Sequence, residues 1–271
     1  MRLAGKVAVV TGGGGGIGRA IARRFAAEGA AVVVGEIAVE RGRAVVAEIE
    51  RAGGRALFVP TDIAAAEQID RLFDRTLGAY GKLDILVNNA YGPFELSRRD
   101  GELLDIDGEL WDTVMRTTLR SVFWAMRRAV REMLRTGGGS IVNMSSVNGL
   151  FAFGQAAYST AKGAIIALTR TASMQYADRG IRMNVIAPGT VETESTKPML
   201  ADPETRRRTE AMYARGSIGQ PDEIAATALF LASDEASFVN GAVLVVDGGL
   251  TVGPREFTLV KRLNTMGQSP A

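Results

Sequence analysis

Short, continuously apolar runs alternate with longer segments of helical periodicity along almost the whole chain of 271 residues. The apolar runs are 6–10, 30–35, 56–60, 84–89, 140–146, 181–188 and 242–249, and the helical segments are 17–29, 38–52, 64–80, 109–135, 155–179 and 221–233. Strands that are apolar on both faces are typical of a parallel sheet covered by helices on both sides. The pattern therefore predicts an α/β protein with a doubly wound, mostly parallel central sheet of about seven strands.

No linker, composition shift or internal repeat divides this pattern, so we expect a single domain over residues 1–250 and a C-terminal tail over residues 251–271. Two segments interrupt the alternation, at 91–107 and 190–215. Each follows the carboxyl end of a strand, which is where ligands bind in open α/β sheets. We expect both segments to border a binding cleft.

Histidine and cysteine are both absent from the chain. Without cysteine there can be no disulfide, thiolate nucleophile or Cys-ligated metal. Without histidine, a catalytic zinc site would need carboxylates alone, so we expect no metal. If the chain is an enzyme, a side chain other than histidine must move the proton.

Charge and hydropathy limit the partners to be expected. The net charge is +2, and the basic run 206–208 is flanked by acids, which is typical of a solvated helix face. We therefore expect no nucleic-acid partner. No apolar run approaches the length of a membrane span. Because residues 1–13 lead directly into a strand and a glycine turn, we expect no signal peptide. A cytoplasmic location without membrane association is the expectation.

The stretch TGGGGGIG at 11–18 lies between the first strand and the first helix. Glycines permit a tight turn and a close approach of backbone to phosphate, while the helix N-terminus supplies amide donors. This context, with an acid after the second strand, indicates a Rossmann-type dinucleotide-binding domain. The acid, Glu36, can accept hydrogen bonds from the adenosine ribose and would repel a 2′-phosphate. NAD rather than NADP is the expected cofactor.

Together with NNA (88–90), YSTAK (158–162) and APGTVET (187–193), this loop resembles the short-chain dehydrogenase/reductase family. The likeness extends from Gly5 to about Gly249 and includes residues 222–249, which resemble the family's C-terminal signature. It implies an NAD(P)-dependent oxidoreductase that interconverts a secondary alcohol and a ketone, acting on a small-molecule substrate.

The resemblance also implies a set of cofactor-binding residues. These are Gly12, Gly15, Gly16, Ile17 and Gly18 in the phosphate loop, Glu36, Asp62, Ile63, Asn89 and Ala90 on the adenosine side, Pro188, Gly189, Val191 and Thr193 at the nicotinamide end, and Tyr158 and Lys162.

Tyr158 takes the role of catalytic acid/base by the same resemblance, with Lys162 as its partner. Residues four apart on a helix share a face, so both side chains can point into one cleft. An ammonium at about 4 Å favours tyrosinate by roughly 4 kcal/mol at an effective dielectric constant near about 20. Leaving burial aside, the spacing predicts a lowered tyrosine pKa. The catalytic serine is Ser146 by alignment from Asn143, or Ser145 by the family's commoner serine-to-tyrosine spacing; Ser146 is preferred.

Two positions depart from the family pattern. Tyr91 follows NNA where the family usually has glycine, and it can narrow the substrate cleft, stack on a ring or simply pack. Thr118 aligns with the family's asparagine, which supports a water chain from the lysine, so we assign Thr118 to the same proton relay. Two alternative functions stay open: an NAD(P)-binding sensor or regulatory protein without significant turnover, and an enoyl reductase.

The composition of the two interrupting segments favours a largely apolar or cyclic substrate. Their apolar side chains include Tyr91, Phe94, Leu96, Met199, Leu200, Met212 and Tyr213. The resemblance implies a homotetramer, with a dimer as the alternative. We also expect Ile165, Ile166 and Leu168 to give the 155–179 helix surplus apolar surface, and the tail, through residues 256–260, to reach a neighbouring subunit.

Overall fold

The computed structural model describes residues 1–92 and 96–253. Within them the apolar runs form a parallel sheet of seven strands in the order β3-β2-β1-β4-β5-β6-β7. The strands are β1 Val7–Thr11, β2 Ala31–Glu36, β3 Arg55–Pro60, β4 Ile85–Asn88, β5 Gly139–Met144, β6 Ile181–Pro188 and β7 Val243–Val246. The predicted α/β class and doubly wound parallel sheet are confirmed.

Helices connect the strands. They are α1 Gly16–Ala27, α2 Val39–Arg51, α3 Ala66–Tyr80, α4 Leu96–Arg99, α5 Gly108–Val114, α6 Ser121–Thr136, α7 Ala156–Tyr176, α8 Lys197–Leu200, α9 Pro203–Ala211 and α10 Pro221–Ala232. A π-helical turn, Met115–Arg120, joins α5 to α6, where the periodicity predicts one uninterrupted helix. Such turns occur often at functional sites.

The two faces of the sheet explain why its strands are mostly apolar. Alternate residues of a strand point to opposite faces. In β1, Val10 packs into a core with Phe25 of α1 and Leu229 of α10, whereas Val9 packs into a second core with Phe73 of α3 and Ile165 of α7. Because both faces are covered, a polar residue in a central strand would have to find a buried partner.

The apolar surface expected from Ile165, Ile166 and Leu168 on α7 is not exposed. Ile165 and Ile166 are buried within the chain, and Leu168 is half-buried against the core that contains Ile165. That expectation was wrong because the segment packs more deeply than its helical periodicity alone indicates. The 256–260 segment, expected at a subunit contact, lies outside the described residues.

The strand order reverses between β1 and β4, which are direct neighbours in the sheet. In open α/β sheets, ligands bind outside the carboxyl ends of the strands at such a switch point. The loops after β1, β4, β5 and β6 all leave from this edge. They carry most of the residues that the sequence singles out.

Candidate functional site

The glycine loop after β1 has a backbone that only glycine adopts easily. Gly12 and Gly16 have positive φ angles of 64° and 47°. A Cβ at Gly18 would overlap the carbonyl oxygen of Gly12 and lie 2.6 Å from Asn89 Nδ2. The loop and the first turn of α1, which includes Ile17, therefore form a close-packed cradle. Its shape and its amide donors fit a phosphate.

Asn89 and Ala90, after β4, tie this cradle to the sheet. Asn89 Nδ2 donates to the carbonyl oxygens of Thr11 and Gly12, both at 3.1 Å. The backbone N–H groups of Asn89 and Ala90 donate to Thr11 Oγ1 at 3.1 and 3.2 Å. Asn89 thus holds the glycine loop in shape, a function its position in the sequence does not reveal.

Glu36 lies beside the loop at the end of β2. Its Oε2 accepts the Gly14 N–H at 3.1 Å, and its Oε1 accepts the Ala38 N–H at 3.0 Å. A carboxylate has about four acceptor positions, so these bonds leave capacity for a ribose hydroxyl. The structure places Asp62 and Ile63 after β3, where Asp62 Oδ1 accepts the Ala64 N–H at 2.8 Å. Ile63 and Ala90 line one small cavity near β1 and β4.

The segment after β6 crosses back over the glycine loop. Pro188 ends β6, and the Gly189 N–H donates to Val246 at 3.1 Å. Val191 is buried and pairs with Gly219 in an isolated bridge. Thr193 Cγ2 lies 2.9 Å from where a Cβ on Gly16 would stand. The expected nicotinamide-end residues and the phosphate loop therefore meet at one edge of the sheet.

Tyr158 and Lys162 lie one turn apart near the start of α7, as the spacing predicts. Lys162 Nζ lies 5.5 Å from the centroid of the Tyr158 ring and donates to the Met144 carbonyl oxygen at 2.8 Å. Lys162 is buried, whereas Tyr158 keeps part of its surface open. A lysine enclosed by protein and a phenol facing a cleft form a pair suited to proton transfer.

The two candidate serines have different partners. The Ser146 hydroxyl lies near enough to the Tyr158 phenol to lower the pKa of that phenol, and it donates to Asn148 Oδ1 at 3.3 Å. Ser145 Oγ instead donates to the carbonyl oxygen of Lys162 at 2.8 Å and is buried. The structure therefore brings Ser146 to the phenol and uses Ser145 to join β5 to α7.

Burial controls the ionisation of the pair. It raises the pKa of Tyr158; the Tyr91 phenol raises it further, and the hydrogen bond from Ser146 acts in the opposite direction. Burial also lowers the pKa of Lys162 to about 7. The sequence-based prediction of a lowered tyrosine pKa is wrong for this structure. It leaves out the cost of placing a phenolate among protein atoms.

Tyr91 packs on this pair. Its ring meets the Tyr158 ring edge to face, with centroids 6.2 Å apart, and its centroid lies 5.6 Å from Lys162 Nζ. With 41% of its surface exposed, it also faces the cleft. Of the three alternatives for Tyr91, the structure favours packing on Tyr158 and Lys162 combined with narrowing of the cleft.

Asp100 is a site residue that sequence reasoning missed. Its carboxylate accepts the N–H groups of Ala157 and Tyr158 at 3.0 and 2.7 Å, and only 3% of its surface is exposed. It therefore caps the start of α7 from the 91–107 loop. The residues it holds are 57 and 58 positions away, so no local motif signals the contact.

Thr118 lies inside the π-helical turn and is 2% exposed. This turn packs against α7, the helix that carries Lys162. The neighbouring Thr117 hydroxyl donates to the Thr113 carbonyl oxygen at 2.8 Å. That bond makes Thr117 the poorer candidate for a proton relay.

The apolar residues of the 190–215 segment separate into two groups. Leu200 and Tyr213 are buried in a small cluster with Ile218, and Tyr213 Oη accepts the Thr190 N–H at 2.6 Å. Expecting these two to face a substrate was wrong, since they form the segment's own core. Met199 and Met212 are exposed, while Phe94 lies outside the described residues.

Across the described parts of the chain, no cluster of three or more acidic side chains is arranged to hold a metal ion. Over the same residues, no helix has the length and apolar character needed to cross a membrane.

The fold and the site define a doubly wound α/β protein with a glycine cradle at its switch point. A family model described as enoyl-(acyl carrier protein) reductase matches residues 12–251. The chain is 43% identical to 3beta-hydroxysteroid dehydrogenase 1 of Eggerthella lenta over 255 residues, covering 93% of this chain and 96% of that protein. It is 42% identical to cis-4-hydroxycyclohexanecarboxylate dehydrogenase of Sinomonas cyclohexanicum over 249 residues, covering 91% and 96%.

Among solved structures, a 7 alpha-hydroxysteroid dehydrogenase complexed with NADH and 7-oxo glycochenodeoxycholic acid superposes with a TM-score of 0.85. It is 34% identical, and the match covers 92% of this chain and 95% of that one. The chain belongs to the short-chain dehydrogenase/reductase family, as its motifs indicated. This membership places it among oxidoreductases.

Proposed function

We propose that this chain is an NAD-dependent dehydrogenase that interconverts a secondary alcohol and a ketone, with Tyr158 as the acid/base. The observation that carries the proposal is the arrangement around one phenol. The Ser146 hydroxyl lies beside it, Lys162 lies one turn further along α7, and the glycine cradle opens at the same sheet edge. The two dehydrogenase relatives act on ring-borne alcohols by their names, which supports this chemistry.

The residues at the sheet edge fit a dinucleotide. The glycine cradle leads into the first turn of α1, whose backbone amides would face a pyrophosphate, and Glu36 lies beside the loop for the adenosine ribose. Thr193 and Pro188 would hold the nicotinamide end. When bound, the nicotinamide accepts a hydride from the alcohol carbon or returns one to the ketone.

The protein's own groups manage the proton. In reduction, Tyr158 Oη gives its proton to the carbonyl oxygen, and its raised pKa keeps that proton in place at neutral pH. In oxidation, Oη takes the alcohol proton. The Ser146 hydroxyl holds the substrate oxygen. Burial lowers the pKa of Lys162 to about 7, so its charge changes near neutral pH. The charged form of Lys162 favours the ionised form of Tyr158.

The cofactor preference provides a first test. We expect kcat/KM to be at least about tenfold higher with NAD than with NADP, since a 2′-phosphate would face the Glu36 carboxylate. Glu36→Gln should reduce the difference in kcat/KM between NAD and NADP. Glu40→Gln, which removes an exposed charge from the first turn of α2, is the matched control and should leave it unchanged. Equal efficiency with both cofactors in the parent enzyme contradicts the prediction.

The substrate class we propose is an apolar cyclic alcohol or ketone. Exposed apolar side chains lie in the loop between β5 and α7 that connects the Ser146 turn to Tyr158, namely Leu150, Phe151 and Phe153. Met199 and Met212 are exposed in the segment after β6. Burying a hydrocarbon ring against such side chains is favourable. A panel of cyclic and acyclic secondary alcohols, diols and sugars, scored by NADH formation, should favour the cyclic apolar members.

Reduction of an enoyl double bond is the second candidate, favoured by the description of the matching family model. The Tyr158–Lys162 spacing of four is the usual one for ketone chemistry in this family, and this makes the enoyl reaction the weaker proposal. An enoyl thioester assayed with NADH alongside the alcohol panel separates the two. Turnover with neither substrate class, despite NADH binding, favours a sensor.

We also infer that residues 1–250 are the cofactor-binding catalytic domain, that residues 251–271 are a tail at a subunit contact, and that the protein is a cytoplasmic homotetramer. Exposed Phe123 on α6 and Met174 on α7 support assembly through the long helices. Both are large apolar side chains that a partner would cover.

Thr118 should act in the proton relay from Lys162. We expect Thr118→Ala to lower kcat about two- to tenfold, the effect of holding one bridging water poorly, while the KM for NAD stays nearly constant. Thr118→Asn should be tolerated or slightly faster. The check is kcat across pH for both variants. If Thr118→Ala equals the parent at every pH, Thr118 has no relay role.

A further inference from the structure

Glu194 places a carboxylate at the start of α1. It follows Thr193 in the segment after β6, and its Oε2 accepts the backbone N–H of Gly16 at 2.9 Å. A Cβ on Gly15 would meet the same oxygen at 3.6 Å. A side chain from a segment 178 residues further along the chain therefore lies over the glycine cradle.

The surroundings hold this carboxylate in its charged form. Backbone hydrogen bonds lower the pKa of Glu194, first from its own amide and then from Gly16, while Lys197 and Arg19 add favourable charge and burial opposes them. The positive end of the α1 dipole acts in the same direction. Glu194 is thus an anion at the part of the loop where a dinucleotide presents its pyrophosphate.

We propose that Glu194 sets the affinity of this protein for its dinucleotide by competing with the pyrophosphate for the amides at the start of α1. The inference rests on the proposed function only for the identity of the ligand. A phosphate oxygen that takes the Gly16 N–H must displace the carboxylate or share its space against like-charge repulsion. Either event makes binding weaker than the glycine cradle alone would allow.

Two cations, Lys197 and Arg19, favour the charged form of Glu194. Arg19, in the first turn of α1, is held by both oxygens of Glu48 at 3.0 and 2.8 Å. Displacing the carboxylate breaks its hydrogen bond to the Gly16 N–H.

The test measures dissociation constants of NADH, ADP-ribose and adenosine on the full-length protein, by fluorescence for NADH and by calorimetry for the others. Glu194→Gln keeps the shape and removes the charge, and Glu194→Ala also removes the hydrogen-bond acceptor. Glu192→Gln is the matched control, because Glu192 lies two residues earlier and pairs with Arg206 at 2.8 Å, away from the cradle. Melting temperatures establish that every variant is folded.

Both Glu194 variants should bind NADH and ADP-ribose about three- to tenfold more tightly than the parent, the range expected for one charge at a helix terminus. Adenosine, which has no phosphate, should bind with unchanged affinity, and Glu192→Gln should match the parent throughout. Unchanged or weaker NADH binding by both Glu194 variants overturns the proposal. An equal decrease in the NADH dissociation constant of Glu192→Gln also overturns the proposal, because it would show only an effect of net charge.

These outcomes are independent of turnover. If no alcohol is oxidised but the Glu194 variants bind NADH more tightly, the proposed reaction fails and the inference stands. If neither the parent nor the variants bind NADH or ADP-ribose, the inference itself is overturned, because there is no pyrophosphate for Glu194 to exclude.

Discussion

Replacing Tyr158 with phenylalanine should lower kcat by about 10²–10⁴, the usual contribution of a positioned acid/base. The substitution removes only the phenolic hydroxyl, whose pKa the neighbouring Ser146 hydroxyl lowers. The ring that meets Tyr91 at 6.2 Å stays, so the fold should persist. The dissociation constant for NADH should change little, because the phosphate cradle lies on other loops. Steady-state kinetics and NADH fluorescence titration provide the two readouts.

Tyr176→Phe is the matched control for this variant. Tyr176 ends the same helix, where its ring contacts the Arg179 guanidinium at 4.4 Å, far along α7 from the cleft. It should keep the kcat of the parent. If the kcat of Tyr158→Phe also stays within about tenfold of the parent's kcat, a group other than Tyr158 moves the proton.

Replacing Gly18 with alanine should have the largest effect on the cradle. The added methyl would overlap the Gly12 carbonyl oxygen and lie 2.6 Å from Asn89 Nδ2, and neither neighbour is a flexible chain end. Overpacking of this kind costs about 1–3 kcal/mol of unfolding free energy. The shift of α1 against the loop should also remove most NADH binding. Chemical denaturation and NADH titration measure the two effects.

Gly15→Ala is the control in the same loop. Its backbone is extended, with φ at −158°, and its Cβ would meet only Glu194 Oε2, at an ordinary distance of 3.6 Å. Its unfolding free energy should remain near that of the parent. Equal stability of the Gly18→Ala and Gly15→Ala proteins would show that the loop is looser than the close contact at Gly18 requires.

The fold was predictable because apolar runs of strand length alternate along the chain with segments of helical periodicity. Strands covered on both faces are apolar throughout, and β6 accordingly spans Ile181–Pro188, the same residues as the apolar run. The π-helical turn at Met115–Arg120 was not predictable. Its wider hydrogen-bond spacing arises within a segment whose apolar periodicity is that of an ordinary helix, and it packs against α7, which is distant in sequence.

In the site too, some features follow from the local sequence and others from contacts between distant segments of the chain. The i, i+4 spacing of Tyr158 and Lys162 brings both to one helix face, so a sequence motif can identify them. Their ionisation depends on how much protein surrounds them, which is why the predicted direction for Tyr158 was wrong. Asp100 and Glu194 reach the site through loops that cross it. Their partners lie 57 and 178 residues away, beyond the range of any local pattern.

Transfer of deuterium tests the central claim most directly. The parent protein is incubated with NAD and a cyclic secondary alcohol that carries deuterium on the carbinol carbon, beside Tyr158→Phe, and the cofactor is examined by mass spectrometry. The account predicts that the parent produces singly deuterated NADH together with the ketone, and that Tyr158→Phe produces almost none in the same time. Reduced cofactor without deuterium, no reduced cofactor from any cyclic alcohol, or equal labelling by both proteins would contradict it.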